Sequence, residues 1–222
     1  MKNIKAKILI FLITAVIGFI AEIPEARAGV LVNRSLNFLT SGLVGYWTMD
    51  GSKVNWATGA VTDSSGNGNT GYVTNMATST AAAAGKIGQA LSFDGVDDYV
   101  DRGTGPTSAN TFSFWVYPQT TTGYFVNITD TTVYIWANAG TVTATGFSGT
   151  PTIYVNGQVS SIISAGQWQY ITVTTTVAEN ASNLDIGRTQ DANYFNGKID
   201  EVRVYNRALS PDEIQKLYNS GR

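Results

Sequence analysis

Hydrophobic and polar positions alternate along most of this chain with a period of two, the period of a strand that buries one face. In Thr111–Tyr117, Phe112, Phe114 and Val116 fall on one side, with Trp115 and Tyr117 on the other. In Thr132–Ala137, Val133 and Ile135 oppose Tyr134 and Trp136, and further on Trp168 and Tyr170 oppose Ile171 and Val173. Runs of this kind predict strands at Leu43–Met49, Ala90–Phe93, Tyr99–Asp101, Thr111–Tyr117, Tyr124–Thr129, Thr132–Ala137, Thr141–Phe147, Thr152–Val155, Trp168–Thr176, Leu184–Gly187 and Lys198–Asn206. Turns rich in Gly, Asn, Asp and Ser separate them. Asn156-Gly157 and Asn196-Gly197 suit tight hairpins, because both residues tolerate positive φ. Thr78–Ala84 reads as a small-residue loop. Many short strands with frequent turns indicate a sandwich or barrel rather than a parallel α/β sheet.

One segment keeps a helical period. Ser210 supplies a cap, Pro211 sits in the first turn and Glu213 follows three residues after the cap. Ile214, Leu217 and Tyr218 share a face, and Gly221 stops the run. Such a helix should seal an edge or end of the sandwich.

The chain begins differently. Lys2, Lys5 and Lys7 precede an apolar run, Ile8–Ala21, and Ala26-Arg27-Ala28 fits a small-x-small cleavage site. A single membrane anchor is the alternative, but the run is short for a span of about 20 residues. Residues 1–28 are therefore read as a secretory signal, 29–41 as a lead-in and 42–222 as one domain. Without residues 1–28 the formal charge moves from −2 to −4, which gives no reason to prefer nucleic acid or anionic lipid.

The chain has no Cys and no His. Disulfides are excluded, as are His-based catalysis of the Ser-His-Asp and Cys-His types and the usual zinc sites. Any metal should be a hard ion held by oxygen.

Three segments resemble the laminin-G-like (concanavalin A-like lectin/glucanase) jelly-roll family. They are Phe195–Leu209 (FNGKIDEVRVYNRAL), Gly85–Val100 (GKIGQALSFDGVDDYV), and Gly42–Gly71 with GLVGYWTMD and TDSSGNGNTG. The middle departs from the family order, since Tyr154–Gly157 precedes Trp168–Val173. The resemblance implies an all-β jelly-roll sandwich of two antiparallel sheets with a short C-terminal helix. It also implies that the opening strand, the Asp63–Gly71 loop and the last strand meet, with Ca2+ held by Asp50, Asp200 and oxygens of Asn67 and Asn69. Calcium takes several oxygen ligands at flexible angles. The same acids could instead accept hydrogen bonds from loop backbone N–H groups with no metal. In an unbroken strand Asp200 shares the apolar face with Val202 and Val204, where a carboxylate needs a donor or cation. Asp94, Asp97, Asp98 and Asp101 form a second acidic group, read as a turn beside a solvated strand edge.

Aromatic rings can stack on the apolar faces of sugars, and Tyr117, Tyr134 and Trp136 are the candidate ligand contacts. The alternative is that these rings serve packing alone. The glucanases of the family place catalytic acids at alternating positions of one strand. Here the best match is Asp200-Glu201, whose adjacent side chains face opposite ways. The expected role is a secreted or cell-surface module that binds a glycan or a cell-surface protein without turnover. A structural or adhesion domain of the cell envelope is the alternative.

Overall fold

The computed structural model describes residues 39–221 apart from 131 and 190–192; the signal and most of the lead-in lie outside the described residues. Strands follow in the order β1 (Leu43–Trp47), β2 (Val54–Asn55), β3 (Ala60–Val61), β4 (Gly71–Thr74), β5 (Ala82–Ala84) and β6 (Gln89–Asp94). Then come β7 (Tyr99–Gly103), β8 (Ala109–Pro118), β9 (Gly123–Thr129), β10 (Val133–Asn138), β11 (Thr141–Thr145) and β12 (Thr152–Val155). The last are β13 (Gln158–Val159), β14 (Gln169–Glu179), β15 (Leu184–Ile186), β16 (Arg188–Thr189), β17 (Asn193–Tyr194) and β18 (Asn196–Tyr205), followed by helix α1 (Pro211–Ser220).

The strands form two antiparallel sheets. The first runs β13-β12-β14-β8-β18-β6-β5, with β1 also paired to β18. The second runs β11-β10-β9-β15-β7-β4-β3-β2, and β16 and β17 make a separate hairpin. Inward residues of both sheets merge into one core, with Phe114 of β8 set 5.8 Å from Phe125 of β9. Phe112, Phe114, Val116, Val133, Ile135, Ile171 and Val173 all belong to that core, as their alternation predicts. Burial of such side chains is the main favourable term in holding the two layers together.

Two turn expectations part company. Asn156 (φ 54) and Gly157 (φ 81) do form the β12–β13 hairpin turn. Asn196-Gly197 forms none: both residues lie inside β18, where Gly197 pairs with Phe93 on one side and Pro118 on the other. Glycine is needed there for close approach, since a Cβ would come within 2.3 Å of the Tyr117 carbonyl oxygen. Ala82–Ala84, expected in a loop, pairs with β6 as an edge strand.

The α1 terminus matches its sequence signature. Ser210 accepts from Glu213 N–H, and the Glu213 carboxylate accepts from Ser210 N–H at 2.9 Å. Ile214 and Leu217 are buried, and Tyr218 sets its ring 5.6 Å from that of Trp115. The helix thus covers the outer face of the first sheet rather than only an edge.

The decisive irregularity is a bulge in β18. The register passes from Asp200 opposite Trp115 to Arg203 opposite Ser113, so Glu201 and Val202 together face Phe114. Glu201 takes a positive φ of 57°. The bulge lets Ile199, Val202 and Val204 all enter the core, and it turns Asp200 outward beside Trp115. Asp200 therefore does not share a face with Val202 and Val204, which corrects the reading of β18 as unbroken.

Candidate functional site

The bulge marks the place where β18 changes partners. It pairs with β6 through Ile199 and with β1 from Val202 onward. Asp50 and the Gly85–Gln89 loop enter at this junction. Asp200 Oδ2 accepts from the backbone N–H of Lys86 at 2.8 Å and of Ile87 at 2.9 Å. Asp50 Oδ1 accepts from Gln89 N–H at 2.8 Å. Gly88 permits this closeness: its φ is +59°, and a Cβ would lie 2.5 Å from Asp50 Oδ1. The two acids thus clamp one loop.

Those bonds leave one atom unmatched. Asp200 is fully buried, and its Oδ1 has no hydrogen-bond partner. Burial pushes its carboxyl up to about 7, the loop N–H groups oppose this, and Glu201 and Asp50 add to it. A buried carboxylate oxygen beside a second acid suits a hard cation.

Asn67 and Asn69 do not join that pair. Their side-chain amides donate to the carbonyls of Leu43 at 3.1 Å and Val44 at 2.7 Å, at the start of β1, whereas Asp50 lies beyond its end. Asp63 orders their loop instead, accepting from Tyr46, Ser65 and Asn69 N–H groups. Asn69 Oδ1 also accepts from Arg102. The Asp/Asn/Gly loop is tied to β1 by side-chain bonds, and the ligand set expected from sequence divides into two places.

The candidate rings divide as well. Tyr134 and Trp136 point outward from β10 on the second sheet, while Tyr117 points outward from β8 on the first, so they lie on opposite sides of the sandwich. Tyr134 and Trp136 gain a partner that the sequence did not single out. Tyr124 of β9 stacks on Trp136 with centroids 5.2 Å apart and planes at 14°, and lies 6.0 Å from Tyr134. The signal for Tyr124 was its register opposite Trp136, which requires the pairing of β9 with β10. Trp136 is fixed in orientation by donating from Nε1 to Thr145 Oγ1 at 3.0 Å. All three rings remain half-buried.

A pair of acids also meets on this face. Asp101 and Asp185 are register partners across β7 and β15. Asp185 is fully buried, and its Oδ2 accepts from Arg188 Nε at 3.1 Å. Arg188 in turn lies 3.4 Å over the Tyr99 ring. Burial pushes the Asp185 carboxyl up and Arg188 opposes the shift. Asp185 is thus both covered and ion-paired. Glu201, the other acid of the sequence-level comparison, is buried against Arg203 and accepts from Tyr46 Oη at 2.8 Å.

In the second acidic group residues 94–98 form the expected turn, but β7 lies between β15 and β4 and is no sheet edge, so Asp101 sits within the sheet. Asp94 Oδ1 accepts from Val96 and Asp97 N–H, and Asp98 Oδ2 accepts from Asp94 N–H. Burial pushes the Asp98 carboxyl upward.

The fold is a two-layered jelly roll with one outer face under a helix and an open ring cluster on the other. The family model of the concanavalin A-like lectin/glucanases superfamily matches residues 141–215, which include β18 and the start of α1. That match covers about a third of the chain, and the two antiparallel sheets form the jelly-roll sandwich that the motifs implied. No curated protein matches the chain. Among solved structures it is similar to domain 4 of AbnA, a GH43 extracellular arabinanase from Geobacillus stearothermophilus, in complex with arabinotriose. The TM-score there is 0.56 at 22% identity, over 80% of this chain and 98% of that one. A mutant of Trypanosoma rangeli sialidase displaying trans-sialidase activity has a TM-score of 0.54 at 15% identity, over 81% of this chain and 33% of the sialidase. The same sialidase in complex with 2,3-difluorosialic acid gives 0.51 at 17% identity, again over 81% and 33%. The chain thus spans about a third of the sialidase length. At these identities the likeness is one of fold.

Proposed function

We propose that this chain is a non-catalytic carbohydrate-binding module that holds a glycan against Tyr124, Tyr134 and Trp136. The observation that carries this reading is the ring cluster itself: three aromatic side chains packed on one another, half-open to solvent and steered by the Trp136–Thr145 hydrogen bond. Rings of this kind offer apolar area with little ordering cost, and polar neighbours such as Thr143 on the adjacent strand can meet sugar hydroxyls. The AbnA domain in complex with arabinotriose supports the choice of a sugar. The burial and ion pairing of Asp185 and Glu201 support binding without turnover.

Calcium at Asp50 and Asp200 is supported by the buried, unpartnered Asp200 Oδ1; when bound, the ion would join β1, the Gly85–Gln89 loop and β18. Export is supported by the basic, apolar and small-residue start of residues 1–28. Among the described residues no helix is long and apolar enough to cross a membrane.

A glycan array on the full chain tests the main claim. Specific signals lost in Trp136→Ala are expected. Silence across the array would favour a structural or adhesion role, and release of reducing sugar from bound glycans would overturn the non-catalytic reading.

A further inference from the structure

A second aromatic patch lies on the opposite side of the sandwich, and its chemistry differs. Outward residues run across the first sheet in register. Asp200, Trp115 and Tyr170 form one row, and α1 closes it with Tyr218, whose ring meets both Trp115 and Tyr170. In the next row Lys198 of β18 pairs with Tyr117 of β8. Trp168, just before β14, sets its ring edge-on to Tyr117 at 5.6 Å and 66°. Tyr117, Trp168 and Lys198 all stay half-buried. The face sealed one row away is open here.

The cations of this patch lie against rings. Lys198 Nζ lies 5.5 Å from the Tyr117 ring centroid. Lys86 Nζ lies 4.9 Å from that of Trp115, two residues back on the same face of β8 and so about 7 Å away along the strand. Among the described residues neither ammonium forms an ion pair. Asp94 sits diagonally from Lys198 across β6 but is exposed and does not pair with it. A charged hydrogen bond to a carboxylate is stronger than a lysine resting on an exposed ring. Lys198 is therefore poised to exchange its ring for an anion.

We propose that Trp168, Tyr117 and Lys198 form a second binding site, one that takes a carboxylate-bearing sugar of the uronic acid type. The rings offer apolar surface to the sugar, and Lys198 takes the carboxylate one strand spacing away. A neutral sugar would gain the stacking alone, and an acidic peptide the charge alone; rings and ammonium together select the acidic sugar. Among the described residues the Tyr124–Tyr134–Trp136 cluster has no such cation, since Arg188, on the hairpin beside β9, is held by Asp185 and Tyr99. The two sites thus separate glycans by charge, and the second does not depend on the first.

Calorimetric titration of the full chain with trigalacturonate, with galactotriose as the neutral control and polyaspartate as the acidic non-sugar control, tests this. Trigalacturonate should bind at least about tenfold more tightly than either control at low salt, as one charge-assisted contact allows. Its affinity should fall as salt rises. Lys198→Gln and Trp168→Ala should each remove most of the difference, with cooperative melting retained and lowered by no more than a few degrees, while Trp136→Ala leaves it intact. Equal affinity for the acidic and neutral trisaccharides would overturn the proposal. So would polyaspartate binding as tightly as trigalacturonate, which would make the patch a reader of acidic chains. Loss of trigalacturonate binding in Trp136→Ala would do the same, by moving the acidic sugar to the other face.

Discussion

On the first sheet Trp115 and Tyr170 point away from the core yet are 2% and 0% exposed, whereas Tyr124, Tyr134 and Trp136 of the second sheet point away from the same core and stay half-open. The difference is made by α1, which lays Tyr218 on Trp115 and Tyr170. The first sheet also buries a polar network. Arg203 pairs with Glu201, donates to Tyr46 Oη at 2.9 Å and lies 4.2 Å over the Tyr46 ring. Trp115 and Tyr170 have thus become part of a second core, and the outward rings of the second sheet have not. Rings held together without a cover are what a binding surface needs: they are ordered before the ligand arrives, which lowers the cost of association.

The largest predicted effect sets the two tryptophans against each other. Trp115→Ala should lower stability by about 3–5 kcal/mol, the usual cost of emptying a buried aromatic site. Trp136→Ala should cost about 1 kcal/mol or less, as partly exposed substitutions do. Urea unfolding of both variants checks this, and equal losses would break the contrast between faces. Arg203→Met comes next, at about 3 kcal/mol, because it strands the Glu201 carboxylate at 3% exposure. Adding Glu201→Gln to it should recover part of that loss in the same assay.

Asp200 gives a smaller and pH-dependent effect. Its carboxyl is raised from 3.8 to about 7 in the fold, so between those values the folded state holds a proton that the unfolded state has released. Stability of the calcium-free protein should therefore fall as pH rises from about 4 to 7, then level off. Thermal melts in a chelator should show the slope, and Asp200→Asn should flatten it. Added calcium should raise the melting temperature at pH 8 by mass action, and Asp200→Ala should abolish that gain; identical melts with and without calcium would remove the ion from the account. The smallest effect belongs to the cap that holds the cover in place. Arg207 and the Ser210 groups hold the Glu213 carboxyl down at about 2, below its ordinary 4.5. Its contribution is present above pH 4.5 and is lost as pH falls toward 2. Glu213→Gln should cost about 1 kcal/mol at pH 7 and less at pH 3, as read from melting curves.

Local patterns carried the sheets and the helix. The alternation in Thr111–Tyr117 and the Ser210–Glu213 box depend on neighbours within a few residues, and both appear in the fold as read. The Asp200 environment depended on more. Whether β18 bulges is decided by its exchange of β6 for β1, residues more than a hundred positions away, and no local pattern records that. Asn196-Gly197 misled for a related reason: a dipeptide that suits a turn also suits a crowded strand crossing, and the Tyr117 carbonyl decides between them. Asn67 and Asn69 offer the right atoms for calcium, but bonds to Leu43 and Val44 set their direction. For the rings, alternation fixed that Tyr117 lies opposite Phe114 and Val116, and Tyr134 and Trp136 opposite Val133 and Ile135. It could not fix which sheet each belongs to or where the helix comes to rest.

The open face is tested most directly by side-chain NMR of the full chain, titrated with the strongest neutral hit from the glycan array. The account predicts shifts at the Trp136 indole N–H and at the Tyr124 and Tyr134 rings, with Trp115 and Tyr170 unmoved. Shifts confined to the rings beneath α1, or a bound glycan that leaves Trp136 unperturbed, would contradict it.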